Sequence, residues 1–196
     1  MGLNLIPAKL RQKFHIEERL HATAILHKDF PDQWHDLLGC LDAFVLKKSH
    51  VVAAGGSKSE ISKEIDAYLN ARGWTERSFD TAVVVDGDSK ETPTHKIDNF
   101  KDRIGVEVEW NNKDPFFDRD LNNFRLLHQL DVLSVGVIIT RLWELQEEFK
   151  RLGKGDSYGM STTHLDKLLP KVNGGGAGGC PLLLVGMGFA CYDPNA

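Results

Sequence analysis

Three carboxylates stand within one short stretch: Asp98, Glu107 and Glu109 fall in DNFKDRIGVEVEWNNKDPFFDRDLNNFR, residues 98–125. Along 104–110 apolar and polar residues alternate, the period-two pattern of a strand. Val106 and Val108 then take one face, and Glu107 and Glu109 the other. Asp98 precedes Glu107 by nine positions, across a short polar turn. Three anions on a strand-turn-strand unit make a poor core, because each costs several kcal/mol to bury unless something positive pairs with it. A divalent metal is the natural partner, since hard cations such as magnesium take a few carboxylates and retain water and phosphate oxygens. The plainer reading of the same pattern is an edge strand with its glutamates in water.

The residues just after the carboxylates favour chemistry. Trp110-Asn111-Asn112-Lys113 is dense in amides and charge, and Asp114 then caps a helix with Pro115 at its first position. Helical spacing turns Leu121, Phe124, Leu127 and Leu130 inward, and Asp118, Arg119, Asn122, Asn123 and Arg125 outward. Carboxylates, then amides, then an arginine-bearing helix start suit the cutting of a phosphodiester beside bases that are read. A bidentate amide fits adenine, and a guanidinium fits guanine, in the major groove. Residues 133–140 form a near-continuous apolar run, suited to a strand buried on both faces. Strand, helix, strand implies a right-handed crossover and a parallel pair. Arg141 then lies just past the strand, where α/β sheets place ligand contacts.

The pattern Asp98, Glu107-Val108-Glu109, Asn112 resembles the active-site segment of BglII/BamHI-type restriction endonucleases, in the PD-(D/E)XK nuclease superfamily. The strand Val135-Gly136-Val137-Ile138-Ile139-Thr140-Arg141 and the segment Ser161-Thr162-Thr163-His164 carry the resemblance further. It is strongest over residues 96–141. It implies an α/β fold, a central mixed β-sheet flanked by helices with a restriction-endonuclease-like core. It also implies a type II restriction endonuclease: magnesium-dependent hydrolysis of double-stranded DNA at a short palindrome containing GATC, leaving 5′ overhangs. One or two Mg2+ ions per active site would be held by Asp98, Glu107 and the backbone of Val108. Asp98, Glu107 and Glu109 are the implied catalytic residues. Glu109 stands where many superfamily members have Lys, BamHI-like enzymes Glu and BglII-like enzymes Gln, so its role stays open between metal ligand and general base.

For DNA contact, Asn112 falls where the resembled enzymes place a base-reading Asn. Asn111, Lys113, Arg119, Asn122, Arg141, Ser161, Thr162 and Thr163 complete the implied DNA-binding set. A palindrome calls for a twofold homodimer. A restriction enzyme also implies a cognate DNA methyltransferase acting on the same site. Two alternatives remain: a nuclease of this superfamily acting in DNA repair, and a catalytically silent DNA-binding module. The intact carboxylate set argues against the silent module, which has no reason to keep three clustered anions.

The chain has 196 residues, 41% of them hydrophobic, which suits one domain over 1–196 with room for a core. No apolar run reaches membrane-spanning length, and the N-terminus lacks a secretory apolar region. Cys40, Cys180 and Cys191 fit neither a disulfide framework nor a zinc spacing, so a reducing cytoplasm is expected. The net charge of −4 runs against a DNA-binding footprint, although metal-binding carboxylates contribute to that count and a whole-chain charge says little about a cleft.

Elsewhere, residues 1–11 read as a loosely held lead, and 14–26 stay open between a helix and an early strand. His15, His21, His27 and His35 lack ligand spacing and read as solvated or core side chains. Pro31 opens a helix to about Leu46 whose stripe of Trp34, Leu37, Leu38, Leu41, Phe44 and Val45 suits the core or a dimer face, as does 121–130. Ser57-Lys58-Ser59-Glu60 reads as a capping box before Ile61, Ile65, Tyr68 and Leu69, with Gly73 as the stop. Gly55-Gly56-Ser57-Lys58-Ser59 looks superficially like a phosphate loop but lacks the spacing, and capping is the stronger reading. Residues 79–85 read as an apolar strand ending at the turn Asp86-Gly87-Asp88, and His95 and Lys96 as solvated or DNA-facing. A short helix over 142–152, a helix over 161–169, glycine loops at 153–160 and 173–179, and a final strand closing the sheet at 181–189 complete the chain.

Overall fold

The structure, a computed structural model, describes residues 2–53, 58–92 and 94–196. In chain order its strands are β1 (Phe14–Arg19), β2 (Leu46–Lys47), β3 (Thr75–Arg77), β4 (Thr81–Val85), β5 (Asp88–Thr92), β6 (Ile97–Lys101), β7 (Ile104–Glu109), β8 (Val135–Arg141), β9 (Leu182–Met187) and β10 (Tyr192–Asp193). The helices are α1 (Ala8–Lys13), α2 (Ala22–Asp29), α3 (Pro31–Ala43), α4 (Lys48–Val52), α5 (Glu60–Asn70), α6 (Pro115–Gln129), α7 (Gln146–Arg151) and α8 (Leu165–Asn173). Six strands pair in the order β1-β9-β8-β7-β6-β3. β7, β8 and β9 run parallel, while β1, β6 and β3 join antiparallel. The sheet is therefore mixed, with helices on both faces, as the resemblance implied.

Strand chemistry explains the layering. β8 and β9 are apolar on both faces because both faces are covered. Val106 and Val108 join a core with Leu10, Leu26, Leu37 and Ile65 from α1, α2, α3 and α5. On the other face Phe117, Leu121, Phe124 and Leu127 of α6 pack with Leu165 and Leu168 of α8 against Ile138 and Leu184. Gly136 on β8 lets α6 approach: a Cβ there would run into the Phe124 ring. β6 and β7 form a hairpin whose two loop residues, Asp102 and Arg103, both have positive φ (44° and 74°). That conformation matches the twist of paired strands.

Several expectations change. β7 is no edge strand; β6 and β8 flank it and every residue is buried. Residues 2–11 are tied down by Ile6 and Leu10, both buried. Residues 14–26 hold both a strand and a helix, joined by Leu20 and His21 at positive φ, which breaks either periodicity. β9 does not close the sheet, because β1 pairs outside it. α3 ends at Ala43, where Phe44 turns extended, and α8 starts only at Leu165. The cap of α5 is Ser59, whose Oγ accepts the Ser62 N–H at 3.1 Å. Residues 54–57, which hold the phosphate-loop-like glycines and Ser57, lie outside the described residues. Leu130 is exposed and Asn123 buried, the reverse of their expected faces, and the apolar stripes of α3 and α6 are both spent inside the protomer. Among the described residues β4 pairs only with β5, in a ribbon apart from the sheet with Val83, Val84 and Val85 exposed. The three cysteines are free and buried.

Candidate active site

The hairpin register sets the first pair of acids. Asn99 on β6 faces Val106 on β7, so Asp98 lies opposite Glu107. The Asp98 N–H donates to Glu107 Oε2 at 3.4 Å, and the Asp98 carboxylate accepts the Val108 N–H. Glu107 and Glu109 are 1% and 2% exposed, on the strand face that meets α6. From α6 a fourth acid, Asp120, joins them at 1% exposure. Sequence reasoning missed it, although Asp120 falls between Phe117 and Phe124 on the inward stripe and beside Leu121.

Burial and neighbouring anions disturb all four. Glu107 is held well above the usual carboxylate range by burial first, then by Asp120, Asp98 and Glu109. Glu109 is pushed up to about 8 by burial and Asp120, while the Asn112 side chain pulls the other way. Asp120 is raised by burial although Arg119 opposes it. Asp98 is raised by burial against the pull of Lys58. The Glu109 and Asp120 carboxyls act on each other, Asp120 raising the proton affinity of Glu109. Among the described residues, Glu107 Oε1 and Asp120 Oδ2 are buried without a partner.

Two cations attend the acids. Arg119 Nη2 lies 2.8 Å from Asp120 Oδ1 and 3.3 Å from Glu109 Oε1. Burial disfavours that guanidinium, but the pull of Asp120 and Glu109 outweighs it and raises its pKa. Lys58 lies 2.5 Å from Asp66 Oδ2 and 3.7 Å from Asp98 Oδ1. Lys58 and Ser59, read from sequence as helix capping, line one wall of a cleft of about 660 Å³; Asp98, Glu109, Asn112, Phe116 and Arg119 line it from the side of the acids.

The expected DNA-binding residues divide into groups. Asn112 leans back over the acids, its Nδ2 donating to Glu109 Oε2 at 2.7 Å. Residues 111–114 and 161–163 meet side by side: Lys113 bridges Thr162 antiparallel, the Thr163 N–H donates to the Asn112 carbonyl at 2.8 Å, and Lys113 Nζ donates to Ser161 Oγ at 3.2 Å. Asn111, Lys113 and Ser161 are exposed, whereas Thr162 and Thr163 are buried. Asn122 is exposed on α6 and accepts from Arg125 Nη2 at 2.7 Å. Arg119 sits within the acid cluster. Arg141 is fully buried, the last residue of β8, and its Nη2 donates to the Tyr158 carbonyl at 2.9 Å and to Thr162 Oγ1 at 2.8 Å. Trp143, Phe149 and Tyr158 surround the guanidinium with ring centroids 5.5–5.8 Å away, Nε and Nη1 have no partner, and burial lowers its pKa to about 10.

Among the described residues no three acid, imidazole or thiol groups form a ready metal cage. The donor chemistry nonetheless fits a hard divalent cation, which takes oxygen ligands, and two buried carboxylate oxygens stand unpartnered. A family model for restriction endonuclease BglII/BglIII matches residues 14–187. Comparison with curated proteins gives no match.

Proposed function

The chain belongs to the BglII/BglIII restriction endonuclease family, site-specific hydrolases of DNA, and we propose that the Asp98, Glu107, Glu109 cluster is where it binds magnesium and cuts. One observation carries this reading: Asp98 and Glu109 line an open cleft together with Lys58 and Arg119, and Glu107 and Asp120, each with a buried oxygen unpartnered among the described residues, pack behind them. Asp98 and Glu107, with the Val108 carbonyl, are the groups to hold one or two Mg2+ ions. Bound there, magnesium supplies neutralisation of the phosphate charge and a more acidic water. Glu109, the acid of this strand that lines the cleft, takes the proton of the attacking water. Arg119 keeps Glu109 and Asp120 in place, and Asn112 orients Glu109 from the cleft side.

Asn111, Asn112, Lys113 and Ser161 form the edge that meets double-stranded DNA, with Arg119 and Asn122 on the adjoining helix. Thr162, Thr163 and Arg141 act in DNA binding from beneath that edge, by fixing its position. The target is a GATC-containing palindrome cut to leave 5′ overhangs, met by a homodimer of this one-domain chain. A methyltransferase for the same site accompanies it in the cytoplasm; among the described residues no helix is long and apolar enough to cross a membrane.

Digestion of unmethylated plasmid with and without magnesium, beside a Glu107→Ala control, tests the reading. Discrete magnesium-dependent fragments, lost in the variant and ending at a GATC-type palindrome, are expected. Retained DNA binding without cutting of intact duplex would defeat it and favour a repair nuclease or a silent module.

A further inference from the structure

Lys58 makes two unlike contacts. It forms a close ion pair with Asp66 Oδ2 at 2.5 Å and a looser one with Asp98 Oδ1 at 3.7 Å. Asp66 itself is fixed, because Asn99 Nδ2, on the residue next to Asp98, donates to its Oδ1 at 2.7 Å. Lys58 is thus anchored on Asp66 and leans on Asp98. Its ammonium can leave Asp98 without losing the anchor, since the lysine stem is flexible and its head is a compact point charge. The side chain is 42% exposed, and the residue lines the cleft that also holds Asp98 and Arg119.

A magnesium ion held by Asp98 would share that carboxylate with the Lys58 ammonium. The ammonium at 3.7 Å from that carboxylate and the incoming ion would then repel each other in a partly enclosed site. We propose that Lys58 is a resident counter-ion of the acid cluster, displaced from Asp98 when a divalent cation binds and turned to the DNA phosphate in the cleft. The proposal rests on Asp98 being a metal ligand. It makes Lys58 a contact to the DNA phosphate in the complex, and metal and ammonium competitors in the free protein.

Manganese titrated calorimetrically into DNA-free protein tests it. Lys58→Met is expected to bind manganese about fivefold or more tighter than the wild type, the low end of ordinary coupling between sites. Asp66→Asn, which leaves Lys58 to Asp98 alone, should bind it more weakly, and Lys58→Arg should match the wild type. Thermal melts establish that each variant folds, and if Lys58→Met does not, the Asp66→Asn arm decides. Wild-type affinity in Lys58→Met or, failing that, in Asp66→Asn, with binding abolished in Asp98→Asn, overturns the proposal. Binding undiminished in Asp98→Asn instead overturns the reading of the metal site on which it rests. Plasmid cutting by Lys58→Met should fall about tenfold or more despite tighter metal binding, and undiminished cutting would refute the phosphate role.

Discussion

Glu109→Gln keeps the shape of the side chain while removing a titrating proton from the acid cluster. In metal-free protein Glu109 holds its proton up to about 8, against an ordinary value of 4.5, through burial first and Asp120 second. Between those values the folded state binds a proton that the unfolded chain releases, so stability is full below the unfolded pKa and is lost as pH rises through the window. At about 1.4 kcal/mol per tenfold change in proton affinity, complete loss approaches ~5 kcal/mol. Asp120 shares the same proton and Arg119 offsets part of the charge, so roughly 2–3 kcal/mol is the expected fall from about pH 5 to about pH 8. That is a sizeable part of the ~5–15 kcal/mol total for a domain. Urea unfolding in EDTA across this range measures it. Glu109→Gln should lose about half or more of the wild-type slope, the remainder belonging to Glu107 and Asp98, whose raised pKa values act with the same sign. Parallel curves for the two proteins would refute the assignment of this proton to Glu109.

Two further substitutions examine the supports of the site. Gly136→Ala drives a methyl into the Phe124 ring and should cost about 1–3 kcal/mol by urea unfolding; an unchanged midpoint would mean that α6 is not seated as described. Thr162→Val removes the Oγ1 that accepts from Arg141 Nη2 and should cost about 1–3 kcal/mol. Thr162→Ser should restore most of it, and equal loss in both variants would assign the effect to packing instead.

The parts of the site legible in the sequence are those set by local periodicity. Alternation along 104–110 places Glu107 and Glu109 on one face, and Pro115 marks the start of α6, because both signals depend on near neighbours. Arg141 was legible in part. Counting by twos from Val135 through Val137 and Ile139 puts it on the core face, where Trp143, Phe149 and Tyr158 enclose it. Asp120 was masked by its charged neighbours Asp118 and Arg119, and its burial follows from the seating of α6 over Gly136. Lys58 carries no local sign of its role, since its tie to Asp98 exists only once α5 packs beside the hairpin. The valines at 83–85 mislead for the opposite reason: β-branched residues favour a strand, but nothing local shows whether a sheet will cover it.

Position 109 shows how the pieces depend on one another. A lysine there, as in many of the resembled nucleases, brings a cation on β7 itself. Glu109 adds an anion instead, so positive charge has to come from elsewhere: Arg119 from α6 on one side and Lys58 from the cleft wall on the other. Even together they fall short, because Glu107 Oε1 and Asp120 Oδ2 stay unpartnered among the described residues and the proton affinities of Glu109 and Asp120 stay raised. On the proposed metal site, protons, the Lys58 ammonium and a divalent ion would be alternative ways of holding the same four carboxylates. A gain of one would expel another, which would link metal binding, proton release and the movement of Lys58 in a single exchange.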